Sequence, residues 1–221
     1  MKKRIIVAID GPAGAGKSTI AKLVAKKLGY VYIDTGAMYR AITWKVMAKG
    51  IGFKDKKKIT EITGLTDIKF KRTGEKLKIY VDGKDVTEEI RAADVTQKTN
   101  IIASILGVRN ILRAKQKIMG KNGGIVMEGR DIGTYVFPDA EKKFYLDAKP
   151  KERAQRRWKE LLAKGKKVSL EDITRAIYRR DYGDKHRGIS PLKQAPDAVV
   201  IDSTSLTLAQ VAQKIIDEIL K

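Results

Sequence analysis

Ile5-Ile6-Val7-Ala8-Ile9-Asp10-Gly11-Pro12-Ala13-Gly14-Ala15-Gly16-Lys17-Ser18-Thr19 stands near the head of the chain, and the architecture follows from it. A short apolar run meets a glycine-rich turn, and a Lys-Ser-Thr triplet then opens a helical pattern. Gly11, Gly16, Lys17 and Ser18 satisfy G-x-x-x-x-G-K-[ST] without a mismatch. Gly11, Gly14 and Gly16 let the backbone take conformations that other residues avoid, so successive N–H groups converge on phosphate oxygens. A helix beginning at Lys17 adds unpaired N–H groups and the positive end of its dipole. Lys17 can reach the β- and γ-phosphates, and the Ser18 hydroxyl can ligate Mg²⁺. The strand–turn–helix setting gives the motif its meaning. It predicts a nucleoside triphosphate held along Gly11, Pro12, Ala13, Gly14, Ala15, Gly16, Lys17, Ser18 and Thr19.

Around this loop the composition narrows the classes. At 221 residues the chain suits one domain with insertions and has ample length for a core. A hydrophobic share of 43% beside 33% charged residues describes a soluble globular protein. No window approaches the ~18 apolar residues of a membrane span. The basic start Met1-Lys2-Lys3-Arg4 raises the question of a signal peptide, but the glycine loop cuts the apolar run too soon. A cytoplasmic protein is expected. With no cysteine there are no disulfides or thiolate metal sites, and a lone His186 cannot build a histidine site.

The formal charge of +21 has two readings: nucleic-acid binding, or polyanionic small ligands with surplus lysine in solvent. The lysines are scattered apart from Lys54, Lys56, Lys57 and Lys58, and aromatics make up 6%. No aromatic–basic alternation suggests a stacking platform, so no specific nucleic-acid partner is expected.

Beyond the first helix, Gly29 suits a helix end and Leu28–Asp34 a second strand. Asp34-Thr35-Gly36-Ala37-Met38-Tyr39-Arg40 follows, then a helix over Ala41–Lys49. Ligands lie at the carboxyl ends of strands in parallel α/β sheets, which places Asp34, Thr35 and the possible anion clamp Arg40 toward the loop. From Leu65 to Val86 the period changes. Asp67–Lys71 and Lys76–Val81 alternate, Thr73-Gly74 turns, and Asp82-Gly83 signals a tight hairpin. A small antiparallel sheet inserted in a parallel chain is expected, with its lysines facing water.

Ala93–Met119 reads as helix. Asn100 and Arg109 do not share a face of a straight helix, but a break at Leu106-Gly107 would let Arg109 turn inward. A third strand, Ile125–Glu128, carries Gly129-Arg130-Asp131-Ile132-Gly133-Thr134 at its end. A fourth, Lys143–Asp147, leads through Pro150 into a helix bearing Arg153, Arg156 and Arg157. Lys164-Gly165-Lys166-Lys167 ends that helix, and Ser169 opens another that runs to Arg187. This basic helix pair suits a lid over phosphates. Arg153 and most lysines are expected on its solvated face, and His186 in solvent. Ala198–Asp202 and Leu206–Leu220 close the chain as a fifth strand and an amphipathic helix.

One triphosphate does not need Arg40, Arg109, Arg130, Arg187, Arg156 and Arg157 together. Guanidinium forks suit phosphate, so the surplus implies a second phosphorylated substrate and phosphoryl transfer from ATP. Catalysis would come from in-line positioning and charge neutralisation, with water excluded.

Together, the loop, Asp34–Arg40, Glu128–Thr134, Val136–Ala140, Arg180-Asp181 with Asp184 and Arg187, and Ile201–Thr204 resemble the bacterial cytidylate kinases. These are nucleoside monophosphate kinases, and the likeness spans essentially the whole chain. The resemblance implies a five-stranded parallel sheet flanked by helices, strand order 2-3-1-4-5, with the small antiparallel sheet in the monophosphate-binding region and a helical lid. It implies a single domain: a core of 1–34, 98–150 and 188–221, a monophosphate-binding region 35–97, and a lid with its following helix 151–187. The substrates implied are ATP with Mg²⁺, and CMP or dCMP. Thr35, Arg40, Arg130 and Arg187 would hold the acceptor phosphate and Asp184 the ribose, while Arg109 and Asp131 would recognise cytosine. Arg156 and Arg157 would act near the transferred phosphate, and catalysis would rest on Lys17, Arg130, Arg156 and Arg157. Asn100 stands where the pattern has Ser or Thr, and its amide can still bond a pyrimidine edge. A monomer is expected. The rivals are a kinase for another monophosphate such as UMP, a shikimate-type kinase needing fewer arginines, and an RNA-binding NTPase.

Overall fold

The computed structural model describes residues 4–73, 76–163 and 165–221. It divides into two compact units: the chain up to Ile33 together with Gly120–Lys221, and Asp34–Met119. Gly74, of the expected Thr73-Gly74 turn, and Lys164, at the expected helix end, lie outside the described residues, as do Met1, Lys2 and Lys3.

The first unit is built on a parallel sheet. Its strands are β1 (Ile6–Asp10), β2 (Val31–Asp34), β3 (Ile125–Gly129), β4 (Lys142–Asp147) and β5 (Val199–Asp202). They lie in the order β2-β3-β1-β4-β5, the expected 2-3-1-4-5. β1 is central: Val7 pairs with Val126 on one side and Lys142 on the other, and Asp10 with Gly129 and Tyr145. A strand with neighbours on both sides and helices on both faces must be apolar throughout, and Val7, Ala8 and Ile9 are fully buried.

Helix α1 (Lys17–Leu28) follows the loop and stops at Gly29, left-handed with φ 66°. The last helix of the chain, Leu208–Leu220, packs against α1. A capping box opens it: Thr207 accepts from the Gln210 N–H while the Gln210 side chain accepts from the Thr207 N–H. Two further helices, Pro150–Ala163 and Leu170–His186, run between β4 and β5, the second capped by Ser169 as expected.

The second unit holds helices Thr35–Ala48, Lys56–Leu65, Ala93–Ala103 and Leu106–Gly120, the last crossing the boundary. It also carries the antiparallel insert, strands Ile68–Thr73, Lys76–Val81 and Lys84–Asp85. The Asp82-Gly83 hairpin forms, with φ 49° and 84° at its two turn residues, as a two-residue primed turn requires. Met38, Ile42, Val46, Ile59, Ile90, Ile102, Val108 and Leu112 make this unit's core.

Three local expectations change. The helix expected from Ala41 begins at Thr35, because Asp34 accepts the Ala37 N–H at 2.8 Å and caps it there. Only charge density marks Lys54–Lys58 in the sequence, yet Asp55 caps a helix over Lys56–Leu65. The break in the long helical stretch falls at Ser104-Ile105, just ahead of Leu106, and Arg109 turns inward, 2% exposed.

Candidate active site

The loop between β1 and α1 has the backbone its glycines foretell. Gly11, Gly14 and Gly16 have φ of 146°, 77° and 87°. A Cβ on Gly11 would stand 2.0 Å from the Leu146 carbonyl oxygen, so no other residue fits there without moving β4. Lys17 is buried and its Nζ donates to the Pro12 carbonyl at 2.7 Å, folding the ammonium back across the loop. Burial, and next the Arg130 guanidinium, push its pKa down to about 7 against the pull of Glu128 and Asp184. A cation that is expensive to hold without an anion, beside glycines that leave room for one, fits a phosphate group. Ser18 is exposed at the start of α1.

The segment after β3 is held by a residue that motif reading passed over. Asp10, the last residue of β1, accepts the Ile132 N–H at 2.9 Å and the Gly133 N–H at 2.8 Å with its two oxygens. It thereby fixes a single π-type turn, Ile132–Val136, against the sheet. Burial raises its pKa to about 6 even against those two bonds. The only sequence signal was its place, a carboxylate closing an apolar strand.

Arg130 and Asp131 leave β3 just before this turn. Arg130 Nε donates to Asp184 Oδ2 at 2.8 Å, and Arg187 reaches Asp184 at 3.5 Å and Asp131 at 4.0 Å. Burial works against the Arg130 charge, but Asp184 outweighs it and raises the pKa. Burial likewise pushes Asp184 up, and Arg130 and Arg180 overcome it and hold the carboxylate ionised. Four expected site residues thus form one alternating charge cluster.

Of the arginines on the Pro150–Ala163 helix, Arg156 reaches the Ser203 hydroxyl at 3.0 Å and the carbonyls of Ser203 and Thr204. Arg157 is half-buried and pairs with Glu160. Arg153 departs from expectation: it is not on a solvated face but 4% exposed, bonded to Asp181 at 2.6 Å and to the Ala13 carbonyl at 2.9 Å. A charge pattern along a helix does not reveal which carboxylate will meet it. His186 is exposed, as expected, and stacks on Tyr182.

In the second unit Thr35 is buried at the start of its helix. Arg40 Nη2 bonds Asp34 Oδ2 at 2.9 Å, while Arg40 Nε is buried with no partner among the described residues. That free donor suits an anion. Burial raises the Asp34 pKa, but Arg40, the Ala37 N–H and Arg91 outweigh it and lower it overall. Arg109 Nη1 donates to the Ala103 carbonyl at 3.0 Å, and its guanidinium lies 5.4 Å from the Tyr39 ring centroid. Asn100 is exposed on its helix. Among the described residues no group of three His, Cys, Asp or Glu could hold a metal, and no helix is long and apolar enough to cross a membrane.

A five-stranded parallel sheet with a glycine loop after its central strand defines the phosphate-loop kinase fold. A shikimate kinase from Bacteroides thetaiotaomicron shares it at TM-score 0.51 and 12% identity, over 98% of this chain and 99% of that one. A gluconokinase from Sinorhizobium meliloti does so at 0.50 and 12%, over 100% and 94%. The chain belongs to the cytidylate kinase family, whose sequence model matches residues 7–221. The cytidylate kinase of Bacillus pumilus is 48% identical over 98% of this chain and 96% of its own. That of Pediococcus pentosaceus is 49% identical over the same shares, and that of Bacillus subtilis 46% over 99% and 98%.

Proposed function

We infer that the chain transfers the γ-phosphoryl group of ATP to CMP and dCMP, giving ADP and the diphosphate. Membership of the cytidylate kinase family over residues 7–221 carries this reading. The loop holds the donor. Its N–H groups and Lys17 take the β- and γ-phosphates, and the anion restores to Lys17 the charge that burial disfavours. The donor set fits Mg²⁺, which takes few protein ligands beside substrate phosphates and water. Ser18 would hold it, and when bound it neutralises charge on the β- and γ-oxygens.

For the acceptor we assign Thr35, Arg40, Arg130 and Arg187 to the phosphate, Asp184 to the ribose, and Asn100, Arg109 and Asp131 to the base. The unsatisfied Arg40 Nε and the preset Arg130–Asp184–Arg187 cluster support this. Attack by a phosphate oxygen needs little general-base help, so positioning and charge neutralisation dominate. Arg156 and Arg157 are assigned to the transferred group, which requires Arg156 to leave the Ser203 and Thr204 carbonyls and Arg157 to leave Glu160. We further propose one domain, with core 1–34, 98–150 and 188–221, acceptor region 35–97 and lid 151–187. We propose that the chain works as a monomer and in the cytoplasm.

A coupled assay over CMP, dCMP, UMP, AMP, dTMP and shikimate tests the reading. CMP and dCMP should lead; if neither is among the best acceptors, the function is wrong.

A further inference from the structure

We propose that the buried pair Arg153–Asp181 is a positioning clamp that fixes the register of the Leu170–His186 helix on the phosphate loop. Three elements meet there. Arg153, on the Pro150–Ala163 helix, donates through Nη1 to Asp181 Oδ2 at 2.6 Å and to the Ala13 carbonyl at 2.9 Å. Its Nε donates to the Ala148 carbonyl at 2.8 Å, which anchors the guanidinium where β4 ends. Asp181, on the second helix, turns its other oxygen to the Ala13 N–H at 3.3 Å. Both polar backbone groups of one loop residue are therefore taken by one ion pair. The neighbouring Gly14 closes the joint from below: a Cβ there would stand 3.0 Å from the Arg153 carbonyl oxygen.

Both side chains are buried, at 4% and 8% exposed, and bond each other, Ala13 and Ala148. A desolvated ion pair is a weak device for stability alone, because apolar packing of the same volume does as well. What the pair adds is direction. Asp184 lies one turn beyond Asp181, on the same face of the helix, and holds Arg130; Arg187 closes the helix end. A shift of this helix on the loop would move all three together. Displacement of about 1 Å at a reacting centre costs on the order of a hundredfold in rate. The clamp acts through these groups and not on the reacting atoms, and the inference rests on the reading of the loop as the donor site.

Two variants test it, with the best acceptor found in the panel, so that a failure of the CMP assignment leaves this experiment intact. Asp181→Asn keeps the shape and an oxygen for the Ala13 N–H but removes the charge. Arg153→Lys keeps the charge but cannot bridge Asp181, Ala13 and Ala148 at once. In each, kcat/KM for the acceptor should fall by about tenfold or more while KM for ATP changes less than about threefold. The double variant should be no slower than the slower single one, because one joint is broken in all three. The proposal is overturned if folded variants keep kcat/KM for the acceptor within about threefold, or if only KM for ATP rises. It also falls if neither variant folds, since the pair would then be a stability element.

Discussion

Lys17 offers a measurement that links the shape of the loop to its ligand. Without an anion the ammonium is buried against Pro12, and its pKa lies at about 7 instead of 10.5. Polyphosphate beside it favours the charged form and should return the pKa to its usual range. Binding then takes up a proton wherever the free protein lacks one. With a free-state pKa near 7, about a quarter of the molecules are charged at pH 7.5, so ATP should draw in about 0.75 proton, rising toward one at pH 8.5 and falling to about 0.1 at pH 6. The sign follows from the native group's depressed pKa: affinity is set by the charged form and weakens as pH rises through 7, by up to about tenfold per unit. Titration calorimetry at each pH in buffers of different ionisation enthalpy gives the proton number directly. Protons on ATP itself contribute equally in Lys17→Arg, whose guanidinium stays charged throughout, so the difference between the two proteins isolates Lys17. Equal proton numbers at pH 8 in both would show that Lys17 is already charged without ligand, and the reasoning would fail.

Three substitutions probe other parts of the design. Lys17→Ala should fold with an unchanged circular dichroism spectrum and lose turnover by a factor of a hundred or more, about 3 kcal/mol of transition-state stabilisation; near-parent turnover would exclude a phosphate role. Gly11→Ala meets the Leu146 carbonyl at 2.0 Å with φ at 146°, and urea unfolding should show a loss of about 3 kcal/mol or more, so an unchanged midpoint would contradict the loop geometry. Arg187→Ala should raise KM for CMP by at least about tenfold with KM for ATP little altered, and equal changes in both would argue against an acceptor-side role.

What the sequence disclosed and what it hid divide along a physical line. The loop, the Asp82-Gly83 hairpin and the Ser169 cap are local, written into spacing and residue type, and the strand order came with the family resemblance. Partnership between distant charges is not. The helix face carrying Arg153 reads as solvated because Asp181 lies 28 residues on, and nothing in either helix announces that the two meet. Asp10 looked like the end of a strand. Its function as an acceptor for two N–H groups more than 120 residues away depends on how β1 and β3 lie in register. The Lys56–Leu65 helix was masked for another reason: its lysines hide the Ile59 and Thr63 positions that bury it.

The same distinction explains how a chain of +21 can keep so many arginines ready without an anion. Arg40 leans on Asp34, Arg130 on Asp184, and Arg187 on Asp184 and Asp131, each within one unit. The carboxylates hold the guanidiniums in fixed rotamers, so less side-chain freedom remains to be lost when phosphate arrives. They also set a limit. An arriving dianion must share each fork with a carboxylate, which weakens simple ion binding and favours a ligand that offers hydrogen bonds as well as charge. Inorganic phosphate has no ribose, whereas a nucleotide can donate a ribose hydroxyl to Asp184. Substituting Asp184→Asn should therefore narrow the gap in affinity between CMP and inorganic phosphate, as competition in the coupled assay would reveal. An unchanged ratio would mean that Asp184 only positions arginine and takes no part in choosing the acceptor.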